Sequence, residues 1–230
     1  MISIIIPVYN EADGIVNTIS RLQEWCVAYQ AELIVVDGGS TDGTVALARV
    51  AGAKAVTGPK GRARQMNHGA AIAAGEILYF LHADSLPPPD FAAQILGAWQ
   101  KGAKSGCFRL RFDHGHWFLK TNAWFTRFDI NGLRFGDQSL FVERSIFHKS
   151  GGFNEELLIM EDQEIIHRLK RYGGFTVLND YVTTSARKYL DNGIYKMQGI
   201  FYLIWTLYYL GYAQESLLRI YKRMIRKHKL

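Results

Sequence analysis

Several short clusters set carboxylates where an apolar run ends. "ISIIIPV" runs into Tyr9, Asn10 and Glu11, "ELIVV" ends on Asp37 in "DGGSTDGT", and "ILYFL" stops at His82, Ala83 and Asp84. Further on, "MED" puts Glu161 and Asp162 at the head of a helical pattern. Carboxylates so placed can hold a divalent cation or take a proton from a nucleophile. In open parallel sheets, ligands bind outside the carboxyl ends of the strands, so the residues directly after each apolar run matter most. If that ligand is phosphorylated, a row of acids repels it unless a cation lies between, which points to Mg2+ or Mn2+. The common phosphate cradles are missing: no G-x-G-x-x-G follows the first run, and "GPKGRAR" does not match a P-loop.

The elements that would hold these residues are legible as periodicities. Apolar runs at 2–8, 32–37, 53–58 and 76–82 read as strands. Ile15, Ile19, Leu22 and Cys26 recur at helical spacing between the first two. Ala70, Ala71 and Ala74 mark a helix after "GRARQMNHG", with Arg62 in the loop before it. Strand and helix in alternation predict βαβ units and a mainly parallel sheet. The second half reads as strands at 105–113 and 137–143 around the aromatic segment 116–128, then a helix at 160–173. Trp117, Trp124 and Phe125 of that segment are expected in the core, with stacking on an acceptor as the alternative. No repeat or flexible linker licenses a second independent domain.

Composition narrows the class. With 230 residues, 48% of them hydrophobic and 21% charged, the chain can bury a sizeable core. Cys26 and Cys107 lie in apolar patterns without a zinc or disulfide motif, which fits a reducing, cytoplasmic setting. The net charge of +6 belongs to the last fifteen residues, "SLLRIYKRMIRKHKL", which hold six Lys/Arg and no acid. The remainder balances at 21 basic and 21 acidic residues, which argues against a nucleic-acid-binding face. "MISIIIPVYN" has no basic leader, so no signal peptide is expected. "GIFYLIWTLYYLGYA" is fifteen residues long, short of the roughly 20 a membrane-spanning helix needs. That aromatic helix and its basic tail are read either as packing on the domain or a second subunit (a homodimer), or as resting on an anionic membrane surface.

The ordered blocks "SIIIPVYNEADGI", "ELIVVDGGSTDGT", "GRARQMNHGAAIAAGEILYFLHADS", "GDQSLF", "GGFNEELLIMEDQEIIHRLKRYG" and "TSARKY" resemble family 2 glycosyltransferases of the GT-A fold. The likeness is to a small stand-alone bacterial subgroup with "FLHAD" in the metal-binding position. It implies a Rossmann-like, mainly parallel sheet flanked by helices over 1–190, and a C-terminal helical extension over 191–230. It also implies inverting, metal-dependent transfer of a hexosyl group from a nucleotide-sugar, UDP-linked in the favoured reading, to an acceptor hydroxyl. The acceptor is unidentified, with a lipid-linked one among the candidates. Carried over by motif, Pro7, Tyr9 and Glu11 line the nucleoside pocket, Asp37 meets the base or ribose, and Arg62 and Arg187 approach the phosphates. Asp84 holds Mn2+ or Mg2+ and Asp162 is the general base. Asp137, Gln138 and Glu161 lie on the acceptor or sugar side. His82 replaces the first acid of the family's D-x-D motif and is left to contact the ribose or a phosphate, or to support the loop.

Each assignment has a plainer counterpart. Asp37 and Asp42 can serve only as caps, Asp84 as a turn residue, and Glu161 and Asp162 as first-turn acids of a helix. Arg62 and Arg64 can be solvated. Two other functions compete. A sugar-phosphate nucleotidyltransferase would open on a "GxGTR"-like loop that "PVYNEADG" lacks, and a degenerate nucleotide-sugar binding module is suggested by His82 and opposed by intact Asp84 and Asp162.

Overall fold

Both faces of the leading strand are covered, which is why "ISIIIPV" is apolar at nearly every position. The structure, a computed structural model, describes residues 1–134 and 136–226. Its strands are β1 (Ile2–Val8), β2 (Glu32–Asp37), β3 (Lys54–Thr57), β4 (Ile77–Phe80), β5 (Ser85–Leu86), β6 (Ser105–Phe112), β7 (Leu140–Glu143) and β8 (Phe175–Thr184). The helices are α1 (Ala12–Tyr29), α2 (Thr44–Val50), α3 (Arg62–Ile72), α4 (Phe91–Gln100), α5 (Trp117–Phe125), α6 (Arg144–Lys149), α7 (Glu161–Leu169), α8 (Arg187–Asn192), α9 (Ile194–Tyr209) and α10 (Gln214–Met224).

The strands form one sheet in the order β3-β2-β1-β4-β7-β6-β8-β5. β3, β2, β1 and β4 run parallel, as the βαβ rhythm predicts, and β6 pairs parallel with β8. β7 is antiparallel to both β4 and β6, and β5 to β8, so the second half of the sheet is mixed. Alternate side chains of β1 point to opposite faces. Ile4 and Ile6 join Ile15, Ile19 and Leu22 of α1 in one core layer, while Ile5 joins Met66 and Ala70 of α3 in the other. Gly69 lets α3 sit this close, because a Cβ there would collide with the Ile5 side chain.

The structure corrects the sequence reading in four places. α3 begins at Arg62 rather than after "GRARQMNHG", so Arg62 is the first helical residue, not a loop residue, and Ala74 lies beyond the helix. The strand read at 137–143 is confined to Leu140–Glu143, with Asp137 and Gln138 in a 3-10 turn before it. β8 had no counterpart among the expected strands. Trp117, Trp124 and Phe125 are exposed, at 63%, 46% and 39%, rather than core.

The boundary expected at 190/191 falls inside α8. Met197, Ile200, Ile204 and Tyr221, beyond it, pack in the same apolar cluster as Phe112, Leu119 and Tyr189. Among the described residues, no helix is long and apolar enough to cross a membrane. Lys227 and Lys229 of the basic tail lie outside the described residues.

Candidate active site

The loops that follow β1 and β2 are stitched into one wall. The Asn10 N–H donates to Ser40 Oγ at 2.8 Å, and the Thr41 N–H donates back to Asn10 Oδ1 at 2.9 Å. The Glu11 N–H donates to Thr44 Oγ1 and the Ala12 N–H to Asp42 Oδ2. Beneath this wall Gln65 of α3, 5% exposed, donates its amide N–H groups to the carbonyls of Val8 (2.8 Å) and Val36 (2.7 Å). It pins the carboxyl ends of both strands. Sequence reasoning missed Gln65; its one available signal was a polar residue on the apolar face of α3.

Along this wall Pro7 and Tyr9 are half-buried at the end of β1, with Lys60 Nζ 4.6 Å from the Tyr9 ring centroid. Asp37 is 2% exposed and its carboxylate accepts from the Gly39 and Ser40 N–H groups, both at 2.9 Å, and from the Ser40 hydroxyl. These contacts show that Asp37 shapes the 38–40 turn. Glu11 Oε2 lies 3.9 Å from Arg187 Nη2, so the start of α8 comes back to the first loop. The Ser185 N–H donates to the Asp84 carbonyl, and Ser85 Oγ donates to Thr184 Oγ1 at 2.9 Å. β8 therefore carries Arg187 to the same edge as Asp84.

A second group forms where α3, the end of β4 and α7 meet. Arg62 places Nε 3.2 Å from Glu161 Oε1 and Nη1 3.0 Å from Asp162 Oδ2. His82 Nδ1 is 2.7 Å from Asp137 Oδ1, and its Nε2 lies 3.9 Å from Asp162 Oδ2. Arg62, His82, Asp137, Glu161 and Asp162, scattered over a hundred positions, are thus one network. Burial raises the Glu161 carboxyl above its ordinary range, Arg62 opposes that and Asp162 adds to it. The Arg62 guanidinium, although desolvated, is held charged by Glu161 and Asp162. For His82, burial and Arg62 press the pKa down, but the bond to Asp137 and the nearby carboxylates outweigh them and the pKa is raised. Asp137 is correspondingly held well below the usual carboxylate range, against its own desolvation, by His82.

Two acceptor-side expectations fare differently from the rest. Gln138 is 1% exposed and donates to the Phe108 (3.1 Å) and Thr126 (3.2 Å) carbonyls, so it braces the turn from within. Glu161 is 3% exposed and anchors Arg62 rather than facing the cleft. Asp162, the next residue on α7, keeps its side chain 18% exposed and faces His82. α7 starts abruptly because Met160, at φ 72°, reverses the backbone just before it.

Asp84 is exposed at the tip of the turn after β4. Among the described residues, no three His, Cys, Asp or Glu side chains gather as a metal cage. His82 is committed to Asp137, so Asp84 is the one expected ligand turned outward. Mg2+ and Mn2+ are commonly held by one or two carboxylates together with substrate phosphates. The donor set fits a cation that is shared with a diphosphate, not one caged by protein alone.

Residues 3–155 match the model of glycosyl transferase family 2. An uncharacterized glycosyltransferase of Mycobacterium tuberculosis is 31% identical over 180 residues, covering 73% of this chain and 68% of the relative. An undecaprenyl-phosphate 4-deoxy-4-formamido-L-arabinose transferase of Aeromonas hydrophila is 33% identical over 133 residues, 53% of this chain and 40% of that protein. Among solved structures, the mannosyltransferase PcManGT of Pyrobaculum calidifontis, in complex with GDP-Man and Mn2+, is similar at TM-score 0.68 and 19% identity. That likeness covers 96% of this chain and 68% of the other. TarS of S. aureus (residues 1–349) is similar at TM-score 0.64 and 16% identity over 81% of this chain, which spans 61% of that one. These likenesses show the GT-A fold. The family match, over two thirds of the sequence and across every strand end from β1 to β4, gives the chain its place: it belongs to glycosyl transferase family 2.

Proposed function

We propose that the protein transfers a sugar from a nucleotide-sugar, UDP-linked, to an acceptor hydroxyl with inversion at the anomeric carbon, and that it needs Mg2+ or Mn2+. The observation that carries this reading is the meeting of Arg62, His82 and Asp162 at the carboxyl end of β4, with exposed Asp84 two residues beyond His82 and the stitched loops 9–12 and 37–44 after β1 and β2. Structures similar in fold were solved with GDP-Man and Mn2+, with UDP-GlcNAc and with UDP-Glc and Mn2+, which supports the nucleotide-sugar class.

In this reading the loops after β1 and β2 hold the nucleoside, with Tyr9 as its apolar wall, and Asp84 is the protein's ligand to the metal. A cation bound there would offset the charge that builds on the departing nucleoside diphosphate. Arg62 serves the phosphates. Guanidinium binds carboxylate and phosphate alike, so a bound diphosphate competes with Asp162 for it. Drawing Arg62 towards the phosphates leaves Asp162 Oδ2 free to accept the proton of the acceptor hydroxyl during attack. His82, bonded to Asp137, places its Nε2 3.9 Å from that oxygen and borders the site where the acceptor hydroxyl must enter. Arg187 closes the phosphate side near Glu11.

The test is release of nucleoside diphosphate from a panel of UDP- and GDP-sugars, with and without Mn2+. Asp84→Asn should abolish the metal-dependent gain in donor affinity. Asp162→Asn should bind donor as the parent does and lose at least about a hundredfold in kcat. Unchanged metal-dependent donor binding in Asp84→Asn removes the metal assignment; full turnover in Asp162→Asn removes the base.

A further inference from the structure

α9 is apolar or aromatic on both sides. Met197, Ile200 and Ile204 face the core, yet Tyr195, Tyr202 and Tyr209, seven residues apart in turn, are 58%, 52% and 57% exposed. Leu203 and Leu210 lie beside that stripe, at 38% and 69%. A helix apolar all round belongs in a core or against a lipid phase, not in water. α5 lies alongside: the Phe118 ring packs at a tilt 4.9 Å from that of Tyr195, and Asn122 donates to Gln198 of α9. It exposes Trp117 and Trp124, also seven apart, which extends the stripe into a two-helix surface.

We infer that the α5/α9 surface docks the protein on an anionic lipid bilayer. Its chemistry favours that occupant. Trp and Tyr, rather than aliphatic residues, are the side chains that settle at a membrane–water boundary, with an apolar ring and a polar edge. Neither helix contains an acid, and their charges are Lys120 and Lys196, with Arg127 stacked 4.3 Å over the Trp124 ring just after α5. α10, which packs beside α9, adds Arg219, Lys222 and Arg223 against the single acid Glu215, and Arg226 follows it. A second copy of the chain is the poorer occupant, because a two-fold interface sets each patch against itself and would bring like charges together.

The position of the surface gives it a use that rests on the glycosyltransferase reading. Phe125 of α5, Tyr202 and Trp205 of α9, and Met160 and Gln163 beside the start of α7 line one cavity of about 80 Å3. Asp162 sits between the last two in sequence. The base therefore lies next to the docking surface, where an acceptor carried on a lipid presents its head group.

Vesicle binding tests the surface without requiring turnover. The full chain is sedimented with phosphatidylcholine vesicles with and without phosphatidylglycerol, while light scattering follows its mass. Binding should require the anionic lipid, weaken with salt, and quench Trp emission when the lipid is brominated. Tyr195→Ser with Tyr209→Ser, and separately Trp124→Ser, should weaken binding about tenfold. Lys120→Glu with Lys196→Glu should weaken it on the order of tenfold or more. Melting temperature and nucleoside diphosphate release without membranes should stay as in the parent, because these side chains are exposed and outside the donor site. No binding at low salt, or binding that all three variants leave intact, overturns the inference. A dimer that the same substitutions dissociate overturns it in favour of a second copy. A protein that binds vesicles but transfers no sugar refutes the functional reading and leaves the surface standing.

Discussion

Replacing Arg62 with glutamine removes the cation that joins α3 to Glu161 and Asp162 of α7. The guanidinium lies 3.2 Å from Glu161 and 3.0 Å from Asp162. Glu161 is 3% exposed, so the substitution leaves a carboxylate in a dry site without its counter-ion. Breaking a fully buried pair costs about 3–5 kcal/mol. Arg62 keeps 36% of its side chain in solvent, and screening at that end brings the expected loss to about 2–3 kcal/mol under mildly alkaline conditions. The pH dependence follows from Glu161. Burial already raises its pKa above 4.5, and losing Arg62, which lowers it, raises it further. A carboxyl with a raised folded pKa contributes its full stability below pH 4.5 and loses it as pH climbs through the folded value. Arg62→Gln should therefore lose far less at about pH 5 than at about pH 8. In a Glu161→Gln background the loss should fall below about 1 kcal/mol, since no buried charge remains to be stranded. Urea unfolding of the parent, both single variants and the double variant, at both pH values, completes the cycle. An equal loss at the two pH values, or an undiminished loss beside Glu161→Gln, would refute the reasoning.

The His82–Asp137 bond has its own pH window. His82, with a pKa raised above 6.5, contributes fully below that value and loses its contribution as pH rises through the raised one. Asp137, depressed below 3.8, contributes above that value and loses it as pH falls through the depressed one. The melting-temperature deficit of His82→Asn should thus peak in mildly acidic buffer and shrink in alkaline buffer; a deficit that grows with pH contradicts the pairing. It should be modest, because the Asp137 side chain is 40% exposed. Gly69→Ala should cost about 1–3 kcal/mol, since its Cβ meets Ile5 and lies 3.1 Å from Val36. Chemical unfolding measures it, and a neutral result would mean that α3 can lift from the sheet without strain.

What could be read beforehand divides along a physical line. β1, β2 and β4 announced themselves because both faces are covered and their central residues form apolar runs. β8 did not: only two of its ten residues are buried, and its pairing with β6 is interrupted between Phe108 and Arg109. The start of α3 was misplaced because no side chain caps it; Gly61, at φ 121°, turns the chain directly into Arg-Ala-Arg. Asp84 and Asp162 were visible through their motifs. The pairings among the other named residues were not, because Arg62 with Glu161 and His82 with Asp137 are brought together by the fold across long stretches of sequence. Burial sets Glu161, at 3% exposed, apart from Asp162, whose side chain keeps 18% in solvent.

Arg62 and Gln65 are three residues apart on one helix and therefore on one face, about 4.5 Å along its axis. Gln65 grips the strands that bear the nucleotide-side loops, and Arg62 grips the helix that bears Asp162. The first turn of α3 is thus a strut between the two halves of the cleft. Any shift in the ends of β1 and β2 is therefore passed to Asp162 through a single helical turn.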